Sequence, residues 1–159
     1  MATSAKPIPE CLHTLTPHLV LKDAARMIEF YRRAFGAVER SRMDMPGVGI
    51  AHAELMIGDS VLFVADEFPK APALAPATVG GTTSAVHIYV PDADAVFQRA
   101  VQAGAVATMP MMDTFWGDRY AQVTDPAGHV WAIATHVEDV TPEEMKQRMQ
   151  EWLASMPRA

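Results

Sequence analysis

The chain of 159 residues holds a single cysteine, Cys11. One thiol excludes an internal disulfide framework and a cysteine-built zinc cluster. No base partner is evident for it, so a thiol nucleophile is not expected. No apolar run approaches the roughly 20 residues of a bilayer-crossing helix, and the start carries no apolar stretch of the secretory kind. A membrane partner is therefore not expected. Basic residues are few: 13 Lys and Arg stand against 19 Asp and Glu, for a net charge of −6. Phosphate backbones demand a basic surface, so nucleic acid is not expected as a partner either. Neither the phosphate-loop nor the dinucleotide glycine motif is present. Charged residues make up an ordinary 20% and half of the chain is apolar, which excludes disorder and collagen. These absences leave a globular, cytoplasmic protein as the expectation. Its 11 methionines suit an adaptable core or pocket.

What is present is a repeat. His18-Leu19-Val20-Leu21-Lys22-Asp23 opens a segment whose counterpart is His87-Ile88-Tyr89-Val90-Pro91-Asp92. The histidines, the aspartates and the later apolar residues Val61 and Val130 each stand 69 residues apart, and Gly36 and Gly104 stand 68 apart. An ordered series of such pairs marks a duplicated unit. In the first half Asp23 caps a helix whose apolar stripe is Ala24, Ile28, Tyr31 and Phe35, and Gly36 ends it in a left-handed turn. In the second, Asp92 or Asp94 caps, Val96, Phe97, Ala100 and Val101 form the stripe, and Gly104 stops it. The spacing predicts helices over 24–35 and 93–103. Short alternating strands precede each helix and three follow it, with hairpin turns at Gly58-Asp59 and Asp125-Pro126-Ala127-Gly128. Each half reads βαβββ.

Residues 68–83 are rich in Pro, Ala, Gly and Thr without periodicity, as in a linker or a loop over a pocket mouth. Thr141-Pro142-Glu143-Glu144 starts a further helix with a capping box. Its face of Met145, Met149, Trp152 and Met156 predicts docking on its own domain or, alternatively, on another subunit.

The duplicated unit, together with Ile28-Glu29-Phe30-Tyr31, resembles the vicinal oxygen chelate superfamily of glyoxalases, bleomycin-resistance proteins and extradiol dioxygenases. Four stretches are most similar to its PhnB-like branch: Thr16–Val20, His52–Asp59, Trp116–Tyr120 and Asp125–His129. The resemblance implies an α+β fold in which duplicated βαβββ modules form a curved, mostly antiparallel half-barrel around a cavity. It implies one such domain over 1–137, with module one at about 14–67 and module two at about 84–137, and a C-terminal helical extension over 138–159. It also implies a homodimer. Fold does not fix function, since one superfamily hosts lyases, oxygenases and metal-free binders.

Metal-dependent members take two ligands from each half. The resemblance carries those positions onto Thr16, Phe63, Ala85 and Ala132. Three cannot ligate and threonine is a poor ligand, because Zn, Ni, Mn or Fe calls for imidazole or carboxylate. No cofactor is expected at the usual site. A displaced set remains open: His18 and His87 stand two residues beyond the vacant places, and Glu67 and His136 four beyond, on the same strand parity. Two residues along a strand span roughly 6.6 Å, which argues against convergence on one ion. The leading expectation is a metal-independent small-molecule binder. The alternative is a glyoxalase-like lyase or dioxygenase using the displaced ligands. Expected substrate-binding residues are His18, His87, Tyr89, Trp116, Arg119, Tyr120 and Gln122. An arginine beside aromatics suits a planar or anionic molecule, with a turn brace to Asp118 or Asp125 as the alternative role for Arg119. His52 and Glu54 share a strand face and are the acid/base candidates. His129, in its turn, reads as exposed and structural.

Overall fold

The structure, a computed structural model, describes residues 5–156. The outer bounds expected for the two regions, residues 1 and 159, lie outside them. Module one comprises β1 (His18–Leu21), α1 (Ala24–Phe35), β2 (Val38–Met45), β3 (Gly49–Ile57) and β4 (Ser60–Asp66). A one-turn helix, α2 (Pro76–Val79), interrupts the connecting segment. Module two repeats the order with β5 (Ala85–Tyr89), α3 (Ala93–Ala103), β6 (Val106–Asp113), β7 (Asp118–Thr124) and β8 (Val130–His136). The last helix is α4 (Pro142–Ser155).

The modules form two curved four-stranded mixed sheets, ordered β1-β4-β3-β2 and β5-β8-β7-β6, and neither closes into a barrel. In each, the first strand runs parallel to the last, while the other pairs are antiparallel. The registers repeat as well. His18 stands opposite Phe63, and His87 opposite Ala132.

Local chemistry explains the helix ends. The Asp23 carboxylate accepts the Arg26 N–H at 3.0 Å, and Asp92 accepts the Ala95 N–H at 2.9 Å, so Asp92 rather than Asp94 is the cap. A second acceptor meets each helix start from the last strand. Asp66 takes the Ala24 N–H at 2.8 Å, and Thr135, its counterpart, takes the Ala93 N–H at 2.8 Å. Gly36 closes α1 at φ 69°.

One apolar core joins the two halves. Leu19, Leu21 and Val64 from the first sheet, and Val123, Trp131 and Ile133 from the second, belong to a single buried cluster with both helices. Tyr31 and Phe35 of α1 reach Trp131 of β8, at ring separations of 5.3 and 4.4 Å. The Asp125 carboxylate clasps this junction. It accepts Tyr31 OH at 2.8 Å from the other module and Trp131 Nε1–H at 2.9 Å from its own. His129 departs from expectation. It is buried rather than exposed, and its Nε2 lies 3.1 Å from the Val20 carbonyl oxygen across the module boundary. The five-residue turn has folded inward against the free edge of β1, which supplies that partner.

Because the helices and the shared core occupy one face of each sheet, the opposite faces are turned to solvent. His18, His87 and Tyr89 lie there, exposed. Helix α4 has no buried residue. It leans on the body through Trp152 against Phe115 at 5.5 Å and a two-pronged Arg148–Glu138 pair at 2.7 Å.

Candidate functional site

Strand alternation decides which side chains meet on the outward faces. In module one, His18, His52, Glu54 and Phe63 share that face, since His18 pairs with Phe63 and Phe63 with Glu54. The His52 ring packs on Phe63 at 4.7 Å and stands edge-on to His18 at 6.4 Å. Burial, and secondarily the charge of His52, hold His18 below its ordinary value, so it stays neutral more readily than a free imidazole. His52 Nε2 and Glu54 Oε1 are 3.8 Å apart, close enough to attract but beyond hydrogen-bond reach. Arg40 approaches Glu54 from the other side at 3.9 Å.

In module two the equivalent face carries His87, Tyr120, Gln122 and the small residues Ala132 and Ala134. His87 lies against Tyr89 at 4.7 Å and Tyr120 at 5.8 Å. Gln122 Nε2 donates to Tyr120 Oη at 2.6 Å. Trp116 closes the end of the face, edge-on to Tyr120 at 5.6 Å. Ala132 and Ala134 are buried in a small cluster with Tyr120, with Met109 and Trp116 packed against it, so the aromatic side chains themselves form this outward surface.

Asp118 organises the end of this face, joining Tyr89, Trp116 and His136, and sequence reasoning gave it only a bracing role. It is 1% exposed. Its Oδ2 accepts Tyr89 OH and Trp116 Nε1–H, both at 2.9 Å, and its Oδ1 lies 2.9 Å from His136 Nδ1. Burial acts to raise this carboxyl, but the donors from His136, Tyr89 and Trp116 together outweigh it and hold the group below the usual carboxylate value. Donation to the Asp139 carboxylate, then to that of Asp118, raises His136. The signal was in the alternation: Asp118, Tyr120 and Gln122 share parity along one strand.

Arg119 requires a correction. It was expected at the cavity, but it stands one residue out of phase with Tyr120 and projects from the helix side of the sheet. There its guanidinium grips Asp94 of α3 at 2.9 and 3.0 Å and Asp113 at 3.2 Å. These partners are neither Asp118 nor Asp125, the two named for the brace alternative.

The displaced ligand candidates are not gathered. Glu67 is taken up by Lys22, Thr78 and the Ala75 N–H, which pull its carboxyl down to about 2. His136 is engaged by Asp118 and Asp139. His18 and His87 sit in separate aromatic groups, one per sheet. Among the described residues no three His, Cys, Asp or Glu side chains form a group able to hold a metal ion. The usual positions do not fit one either. Phe63 and Ala132 occupy corresponding places in the two sheets, opposite His18 and His87, and neither offers a lone pair. Cys11 is exposed.

The fold and these faces define a class: a duplicated βαβββ protein whose curved sheets present open, aromatic-lined surfaces. The chain belongs to the glyoxalase/bleomycin resistance protein/dioxygenase superfamily, whose family model matches residues 11–133. An uncharacterised protein of Mycobacterium tuberculosis is 41% identical over 138 residues, covering 85% of this chain and 81% of the relative. The crystal structure of TioX from Micromonospora sp. ML1 is similar at 28% identity and a TM-score of 0.61, over 79% of this chain and 99% of that one. A glyoxalase/bleomycin resistance protein/dioxygenase from Nocardioides is similar at 25% identity and a TM-score of 0.60, over 88% of this chain and 90% of that one.

Proposed function

We propose that this protein binds a small planar molecule without a metal at the usual position, and that its binding site is completed by a second copy of the chain. One observation carries the reading: the corresponding positions Phe63 and Ala132 lack donor atoms while the faces around them are aromatic. A planar ligand is held there by stacking on Tyr89, Tyr120 and Trp116, with Gln122 and His87 supplying polar contacts. One sheet face alone is too open to enclose a ligand. In a homodimer the His18–His52–Phe63 face of one copy covers the His87–Tyr120–Gln122 face of the other, and each copy contributes half of two equivalent sites. Within the family we place the chain in the PhnB-like branch, supported by the stretches His52–Asp59 and Asp125–His129.

The test combines metal analysis, light scattering and ligand screening on protein purified without chelator. A dimer without stoichiometric metal is expected. Planar compounds found by thermal shift should keep their affinity in chelator and lose it in Tyr120→Ala. Stoichiometric Zn, Ni, Mn or Fe that survives dialysis and disappears in His18→Ala with His87→Ala would overturn the reading in favour of a metal-dependent lyase or dioxygenase. A monomer at micromolar concentration would refute the shared site.

A further inference from the structure

The two modules differ at one structurally equivalent place. β1 and β5 are both edge strands, bonded only to β4 and β8. A hairpin turn of the other module comes up beside each free edge. Beside β1 the turn has five residues, Asp125 to His129, and His129 seals it through the Val20 carbonyl. Beside β5 the turn has only two, Gly58 and Asp59. The shorter turn leaves a cavity of about 660 Å³ between itself, β5 and the N-terminal arm. Burial records the difference. Leu19 and Leu21 are buried, whereas their counterparts Ile88 and Val90 are only half-buried.

The cavity has an apolar floor and a charged mouth, where Asp59 of the short turn stands with Arg99. Phe35 and Trp131 form its base, with Val86, Ile88 and Leu62 on the walls. Arg99 of α3 stands at its edge and shares an adjoining groove with Arg33 of α1. Neither guanidinium has a salt-bridge partner among the described residues, although the chain carries a net charge of −6. The wall itself offers hydrogen bonds. The Val90 N–H bonds the Ala134 carbonyl, so by alternation the backbone groups of His87 and Tyr89 turn to the free edge.

We infer that this inter-module cavity is a second binding site, for a small amphipathic carboxylate whose apolar body enters between β5 and the Gly58–Asp59 turn while its head group pairs with Arg99, assisted by Arg33. An apolar pocket of this size with few polar groups at one end is the usual form of such sites, and a guanidinium matches a carboxylate in two-pronged geometry. The inference does not rest on the outward-face site: His87 and Tyr89 of β5 border both, but Arg99 reports on one and Tyr120 on the other.

Octanoate and octanol are the probes, followed by calorimetry and amide NMR on the full chain. Octanoate should bind with shifts at Ile88, Leu62 and the Trp131 indole. Arg99→Ala should weaken it by about tenfold or more, the loss expected for a hydrogen-bonded charge pair, and leave octanol unchanged. Arg99 is exposed, so an unaltered melting temperature for the variant is the check on its fold. No octanoate binding to the wild type, equal affinity for wild type and Arg99→Ala, or shifts confined to Tyr120 and Gln122 would each overturn the inference.

Discussion

Replacing Asp125 by alanine tests how the halves are held together, and with that the direction in which their open faces point. The carboxylate accepts four hydrogen bonds: Tyr31 OH at 2.8 Å, Trp131 Nε1–H at 2.9 Å, and the N–H groups of Ala127 and His129 at 2.9 and 3.0 Å. Tyr31 and Trp131 are fully buried, so no water replaces the lost acceptor. Each stranded side-chain donor costs about 1–3 kcal/mol, which puts Asp125→Ala at about 2–6 kcal/mol before any loss from the turn. Tyr31→Phe removes one donor and leaves the carboxylate three others. It should cost about 1.5–3 kcal/mol in the wild type. In the Asp125→Ala background the same change removes an orphaned hydroxyl and should be neutral or stabilising. Urea unfolding followed by tryptophan fluorescence and circular dichroism measures both arms of this cycle. A chain of this size loses about 2–4 °C in Tm per kcal/mol, so the larger effect should be plain in a thermal melt. If Asp125→Ala stays within about 0.5 kcal/mol of the wild type, or if Tyr31→Phe costs the same in both backgrounds, the clasp does not hold the modules and the argument fails.

Three further outcomes follow from the same contacts. Ring-carbon NMR should show His18 titrating below 6.5 and His136 above it. The raised His136 adds stability below pH 6.5 that fades as pH rises through its folded value, whereas the lowered His18 costs stability as pH falls below 6.5; reversed titration orders would contradict both environments. Gly49→Ala should destabilise the fold by at least about 1 kcal/mol, because φ is +119° there and a Cβ would fall on the Asp66 Oδ2 that caps the Ile50 N–H; denaturant midpoints decide it. Arg119→Ala should leave the denaturant midpoint close to that of the wild type, as loss of an exposed ion pair does, and leave affinity for planar ligands unchanged. A loss of affinity would return Arg119 to the binding face.

The duplicated modules were legible because their signals are local. Asp23 and Asp92, each followed by an apolar helical stripe and a stop glycine, carry their own start and end chemistry, and the structure places both helices at 24–35 and 93–103. The site was only partly legible, because parity within one strand is readable but the relation between strands is not. His52, Glu54 and Phe63 meet on one face as alternation demands, yet nothing in the sequence tells which face of β7 carries function. Reading Arg119 beside Tyr120 as neighbours in a pocket overlooked that adjacent strand residues point to opposite sides. Asp118, two residues from Tyr120, was the side chain sharing its face.

Turn length is the other signal that sequence pattern obscured. Two hairpins in equivalent places invite the assumption of equivalent surroundings, but three extra residues between β7 and β8 bring His129 onto the edge of β1 and seal it. The matching gap beside β5 is then a geometric consequence of the two-residue turn after β3. The duplication thus produces one closed and one open junction, and the open one lies beside Arg33 and Arg99, two of the three arginines that no carboxylate engages among the described residues. Inserting the five residues Asp125–His129 in place of Gly58-Asp59 should therefore close the cavity, bury Ile88 and Val90 as Leu19 and Leu21 are buried, and abolish octanoate binding while leaving Tyr120 and Gln122 on the opposite face untouched. Amide exchange at His87 and Tyr89, whose N–H groups face the open edge, reads the closure directly. Unchanged exchange there in a folded chimera would mean that turn length does not set the opening.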